Sequence, residues 1–219
     1  MKKLALLLFI LVIYCGTAFA SADSIIGSAV SMVNEMAARS DASDLAASLK
    51  SSYAIAIVPS MVKAGFVFGG SYGEGLILVK KNGKWYGPSF YNIGGPSFGF
   101  QIGAENISLL LSVINQAGVD AFLHSRTKLG GDIGVTAGPV GRRAEAATDG
   151  RVRASIYSYS MTKGLFAGLS LEGSVVSVSV KRNTEYYGKK VAALDALEKP
   201  ATGKSIQPLV KALDNLMSK

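Results

Sequence analysis

Arg142 with Arg143, Lys181 with Arg182, and Lys189 with Lys190 are three pairs of adjacent cations, and the chemistry open to such pairs is the recognition of phosphate. An arginine fork donates two hydrogen bonds to one oxyanion, while a lysine adds a point charge that needs no fixed direction. The first pair follows a Gly138-Pro139-Val140-Gly141 turn, Arg151 and Arg153 come a few residues later, and the other pairs close a glycine-rich region. Folding either gathers these pairs onto one surface or leaves each on a solvated rim. Beside an anionic membrane each basic group contributes roughly 1 kcal/mol, so four to six together give a usable, salt-sensitive attachment.

Catalytic and nucleotide chemistry is less well supported. Gly203-Lys204-Ser205 carries the last three letters of a phosphate loop, but Glu198 stands where that loop needs glycine and no buried strand precedes it. Ser160-Met161-Thr162-Lys163 has the spacing of an acylating serine and lysine, without either companion motif of that enzyme class. His124 is the sole histidine and by itself makes no metal centre. Glu74, Glu105 and Glu172 are widely separated acids that nothing in the pattern joins into a hydrolase. The glycine clusters Gly69 to Gly75 and Gly94 to Gly99 read as turns and close backbone approaches. No metal, cofactor or catalytic residue is expected.

The 219 residues, 49% of them hydrophobic, suffice for one sizeable core and require no second. Residues 1–20 are expected to be a secretory leader: Lys2 and Lys3 precede an apolar run from Leu4 to Ile13, and Ala18-Phe19-Ala20 supplies an A-x-A cleavage site. That run is short of the roughly 18 apolar residues of a membrane span. Lipid attachment at Cys15, the one cysteine, is the alternative, although Tyr14 is large where such processing wants a small residue. With cleavage after Ala20, thiol chemistry leaves the mature chain, and the basic count falls from 23 to 21 against 15 acids, a net charge of +6. The product is periplasmic or secreted. Its charge suits anionic lipid or acidic polymers, and export makes nucleic acid the least fitting partner.

Helices are expected at both ends. Residues 24–50 form a helical leader: Ser24 to Arg39, capped by Asp23 or Ser24, with Ile25, Ile26, Val30 and Val33 on a wide apolar stripe, then Ser43 to Leu49. Such a stripe either packs into its own core or lies on a membrane. Residues 53–188 read as a β-rich core. Ala54 to Val58 is a buried strand stopped by Pro59, and Asn82-Gly83 is a two-residue hairpin turn between Leu76 to Lys80 and Trp85-Tyr86. Phe98 to Gly103 is a strand, and Ile107 to Ile114 is strand or helix. Ala117 to Ser125 is a helix; Ile133 to Ala137, Arg151 to Met161, Leu165 to Leu171 and Val175 to Val180 are strands, the last with Val176, Val178 and Val180 inward. Residues 191–217 form a helical tail, Val191 to Leu197 and then Ser205 to Met217, whose apolar face carries Ile206, Leu209, Val210, Leu213, Leu216 and Met217.

The stretch Ser155 to Gly173, SIYSYSMTKGLFAGLSLEG, alternates on both sides of a Thr162-Lys163-Gly164 turn and so reads as a β-hairpin. Its wording, YSxSxGLFAGxSxEG, resembles the C-terminal signature of the SYLF domain family. Further segments resemble the family in order: Ala54 to Pro59 with Lys63 and Gly65, the Gly69 to Gly75 turn, Trp85 with Pro88, Gly99 to Gly103, Ala137-Gly138-Pro139 with Gly141-Arg142, and Asn183 with Tyr187-Gly188. The resemblance implies a binding module for acidic phospholipids, including phosphoinositides, with actin binding in some fungal relatives and no enzymatic activity. It also implies a membrane role for the helix before the sheet.

The reading is a single α+β domain over residues 21–219: a twisted antiparallel sheet or barrel-like β core with N- and C-terminal helices. Its expected function is reversible, non-enzymatic binding to the anionic phospholipid surface of the cell envelope. Arg142, Arg143, Lys181, Arg182, Lys189 and Lys190 would meet head groups, with Ile25, Ile26, Val30 and Val33 as apolar contacts. The alternative is an envelope protein partner docked through sheet edges or the helix Ser205 to Met217.

Overall fold

The computed structural model describes residues 20–40, 42–138, 154–162, 165–167, 169 and 171–219. The chain opens with α1 (Ala22–Ala37) and α2 (Ala42–Lys50). The cap of α1 is Ser21, earlier than either Asp23 or Ser24; its Oγ accepts from the Ser24 N–H at 3.1 Å, satisfying one of the donors that a helix start leaves open. Ala22, Ile25, Ile26, Ala29, Met32, Val33 and Met36 recur at helical spacing and are all buried. The wide stripe therefore faces inward, and the expectation of Ile25, Ile26, Val30 and Val33 as membrane contacts is corrected. The first two and Val33 are core residues, and Val30 packs partly against the same cluster.

The centre of the fold is a long antiparallel ribbon, β1 (Ala54–Lys81) with β2 (Lys84–Val113), whose register runs from Lys81 opposite Lys84 to Ala54 opposite Val113. Asn82 and Gly83 turn it with φ of 51° and 74°, the positive pair that a tight hairpin of this kind demands. Pro59 does not stop β1: the register slips between Val58 and Met61 and then resumes, because a bulge can place a residue that has no N–H to give. Ile107 to Val113 is strand, with Leu109 and Leu111 in one core and Leu110 in the other. β1 also folds back on itself. The Lys80 N–H donates to the Tyr53 carbonyl at 3.1 Å, and Gly75 lies so near Ile57 that a Cβ would strike the Ile57 carbonyl oxygen and come within 2.9 Å of Tyr91 Cζ. Glycine there lets two backbones touch and the ribbon curl into a half-barrel.

After α3 (Gln116–Asp120), capped by Asn115 and shorter than expected, come β3 (Thr127–Lys128), β4 (Val135–Ala137), β5 (Ile156–Thr162), β6 (Leu165–Ala167) and β7 (Val175–Val178). The sheet order is β3-β7-β2-β5-β4, with β1 on β2 and β6 on β5. The β5–β6 hairpin forms as read, Thr162 opposite Leu165. The sheet is mixed rather than wholly antiparallel, since β4 pairs parallel to β5; the chain between them exceeds the dozen or so residues such a return needs.

α4 (Val180–Tyr187), α5 (Ala193–Leu197) and α6 (Gln207–Met217) complete the chain. α4 replaces the expected end of a strand. Val180 opens it with 52% of its surface exposed, and the buried Asn183 binds the backbone of Phe90 in both directions, accepting at 3.0 Å and donating at 3.2 Å. The sheet is buried on both faces. α1, α2 and α6 cover Ile55, Ile57, Leu76, Leu78, Phe90 and Leu110, whereas Ala54, Ala56, Val58, Ile77 and Tyr91 line the inside of the curl with Phe122 of the turn after α3. α6, expected as a docking helix for a partner, is occupied by its own chain: Leu209, Leu213 and Leu216 are fully buried, and the Trp85 Nε1–H donates to Asp214 at 2.9 Å. Gly75→Ala is expected to cost about 1–3 kcal/mol by overpacking. By contrast, Gly27→Ala, on the open side of α1 with nothing within 4 Å, should gain about 0.5–1 kcal/mol; urea unfolding of both variants measures the pair.

Candidate functional site

Three elements meet at one buried cation. Arg182 of α4 has a side chain 3% exposed. It makes a fork to Glu74 of β1, Nε to Oε1 at 3.2 Å and Nη2 to Oε2 at 3.3 Å, and its Nη1 donates to Glu185 Oε2 at 2.9 Å. The other oxygen of Glu185 accepts from the Ala22 N–H at 3.1 Å, so the network ties the start of α1 to α4 and the sheet. Arg182, with the Ala22 N–H, holds the Glu185 carboxyl below its ordinary range, and burial together with Glu74 pushes the Tyr72 phenol up. The expectation that Arg182 meets a phosphate is corrected, because its side chain is buried and donates to the carboxylates of Glu74 and Glu185.

Among the described residues, the other expected cations lie at the two ends of α4. Lys181 is exposed at the start of α4, and its charge also reaches Glu185. Lys189 and Lys190 are exposed just past the C-cap of α4, Gly188; the helix from Lys181 to Tyr187 rises about six residues or ~9 Å along its axis. Arg142 and Arg143 lie outside the described residues, as do Arg151 and Arg153. His124 is exposed, and Ser160 is buried on β5. Among the described residues no group of three or more His, Cys, Asp or Glu stands close enough to hold a metal.

A cleft of about 460 Å³ opens beside the network, between the start of α1, the end of α4 and the segment leading into α6. Tyr186 and Tyr187 meet edge to face at 4.8 Å between centroids. The Tyr187 hydroxyl donates to the Pro88 carbonyl at 2.8 Å, and Lys199 Nζ lies 5.9 Å from the Tyr187 ring, within the reach of a cation–π contact. Burial pushes the Tyr186 phenol up. Asp23, Glu185, Gly203 and Ser205 also line the cleft. Sequence reasoning missed it: the run Tyr186-Tyr187-Gly188-Lys189-Lys190 signals aromatic rings next to charge, but only its lysines were weighed.

A family described as "Las17-binding protein actin regulator", Ysc84, matches residues 94–216. This chain belongs to the Ysc84 (SYLF) family. The match runs from within β2 into α6, so it includes Arg182, Tyr186 and Tyr187 and stops short of Glu74 and of the Ala22, Asp23 and Gly87 wall of the cleft. Among similar proteins, "SH3 domain-containing protein PJ696.02" of Schizosaccharomyces pombe is 37% identical over 164 residues, 73% of this chain and 38% of that protein. "LAS seventeen-binding protein 3" of Saccharomyces cerevisiae is 35% identical over 174 residues, 76% of this chain and 37% of that one. "SH3 domain-containing YSC84-like protein 1" of Mus musculus is 37% identical over 142 residues, 64% and 42%. The chain thus spans about two fifths of the length of these relatives. The family is one of binding domains rather than a known class of enzymes.

Removing Arg182 leaves the largely buried Glu74 without its partner. Arg182→Met is expected to cost about 3 kcal/mol, and Arg182→Lys to recover only part, since an ammonium cannot fork. Glu185 titrates below its ordinary value of 4.5 in the folded state. Its contribution is complete above that value and disappears as pH falls through the lowered folded one. Thermal melts between about pH 6 and pH 3 should therefore fall less steeply for Glu185→Gln than for the parent.

Proposed function

We propose that this domain binds anionic phospholipid surfaces of the cell envelope without catalysing a reaction, acting in the periplasm or outside the cell after export. The observation that carries the reading is the adjacency of Lys189 and Lys190, both exposed, to the tyrosine pair of the cleft, with Lys199 over the second ring. Lysine supplies attraction to phosphate, and tyrosine, apolar in body and polar at the tip, suits the boundary between water and lipid. Three lysines at roughly 1 kcal/mol each yield about 3 kcal/mol, weaker than a millimolar complex, so attachment is reversible and gains from any further cations. α1 takes no part by insertion, because its apolar stripe already covers the sheet.

Flotation with vesicles rich in phosphatidylglycerol against vesicles of phosphatidylcholine tests this. Binding is expected only to the former, weakening between about 50 and 500 mM salt as screening shortens the field. Lys189→Gln with Lys190→Gln should lower it roughly 30-fold, the equivalent of about 2 kcal/mol. Equal flotation on both vesicles, or indifference to salt and to the double substitution, would contradict the reading.

A second reading, a protein partner, is favoured by the name of the yeast relative and by Val180 and Leu194, aliphatic side chains 52% and 56% exposed at the starts of α4 and α5. Replacing both with serine should leave flotation unchanged under the lipid reading and abolish partner capture under this one.

A further inference from the structure

The start of α1 sits against the Arg182 network through the Ala22 N–H, and the following rests on the export reading given above. We propose that leader removal between Ala20 and Ser21 does more than release the domain: the new α-amino group at Ser21 docks electrostatically on Glu185 and becomes part of the Arg182 network.

The geometry around Ser21 is specific. Its Oγ accepts from the Ser24 N–H at 3.1 Å, its carbonyl accepts from the Ile25 N–H at 2.9 Å, and the next residue, Ala22, donates its N–H to Glu185 Oε1 at 3.1 Å. Ser21 is extended, with ψ of 164°, so its own nitrogen is about 3.6 Å from that of Ala22 and within about 7 Å of the Glu185 carboxylate. In the precursor this nitrogen is a neutral amide. After cleavage it is an ammonium, carried on an exposed residue next to the buried Ala22.

Other charges near this nitrogen decide whether the ammonium is welcome. Against it stand the dipole of α1, Lys181 and Arg182 of α4, and Lys199 on the far wall of the cleft. For it stand Asp23 in the first turn of α1, Glu185, and Glu74 behind Arg182; the Tyr186 phenol is neutral at physiological pH. Arg182 is already shared between two carboxylates and Lys199 lies over Tyr187, whereas Glu185 is one hydrogen bond away from the residue next to the amine. Attraction therefore wins. Only one cleavage frame keeps these contacts. Ala20-Ser21-Ala22 is a second A-x-A, but cutting after Ala22 would delete the cap and the peptide N–H held by Glu185.

The test uses the full chain exported by a bacterial host. Intact mass should show a product beginning at Ser21. A product beginning at Asp23 overturns the proposal and leaves export standing, whereas a retained leader overturns both. On the Ser21 product, NMR titration of the α-amine is expected to give a pKa above the ordinary range of about 7.7–8.0, returning to it in Glu185→Gln; equal values in the two proteins overturn the proposal. Since Glu185→Gln also loosens Arg182, a second comparison uses Nα-acetylated protein. Acetylation should lower the melting temperature by about 2–4 °C in the parent and leave Glu185→Gln unmoved. The same drop in both, or none in the parent, contradicts docking.

Discussion

The buried guanidinium of Arg182 sets the constraint around which the two ends of this domain are arranged. A charge withdrawn from water must be met by opposite charge and hydrogen bonds or it is expelled, and the fork to Glu74 with the third bond to Glu185 does this. Meeting that requirement brings α4 onto β1 and, through the Ala22 N–H, seats the start of α1. α1 then runs across the sheet with α6 beside it. The apolar stripe of α1 is consumed in this arrangement, whereas Lys189 and Lys190 past the end of α4 stay exposed.

Charge and function separate accordingly. A cation answered by carboxylates in the interior stabilises the fold and has nothing left for a phosphate, whereas an exposed cation contributes little to stability and remains available to a ligand. Lys181 and Arg182 are neighbours in sequence but lie on different sides of α4, because each helical residue turns about 100° from the last. Lys189 and Lys190 keep their exposure beside tyrosine rings that tolerate both water and lipid. On the proposed lipid reading, the resulting affinity is modest and the attachment reversible.

Much of the fold was legible in local pattern. Asn82-Gly83 demanded a hairpin, the two strands after Ser155 alternated, and the stripes of α1 and α6 followed helical spacing; these signals depend on neighbours in sequence. What failed depended on distance. Arg182 and Glu74 are 108 positions apart, so no local rule tells a buried arginine from a surface one. The alternation of Val176, Val178 and Val180 masked the start of α4, where the buried Asn183 ends the strand by taking the backbone of Phe90. Pro59 looked like a stop because its bulge needs the partner strand to be seen. The wide stripe of α1 permitted a membrane or a core, and only its packing against the sheet and α6 decided for the core.

Hydrogen exchange of the domain with and without phosphatidylglycerol vesicles tests most directly whether surface lysines, and not a helix that leaves the core, make the attachment. The account predicts new protection around residues 186–190 and unchanged protection throughout α1. Loss of protection in α1 on vesicle binding, with its apolar stripe released from the sheet, would contradict it.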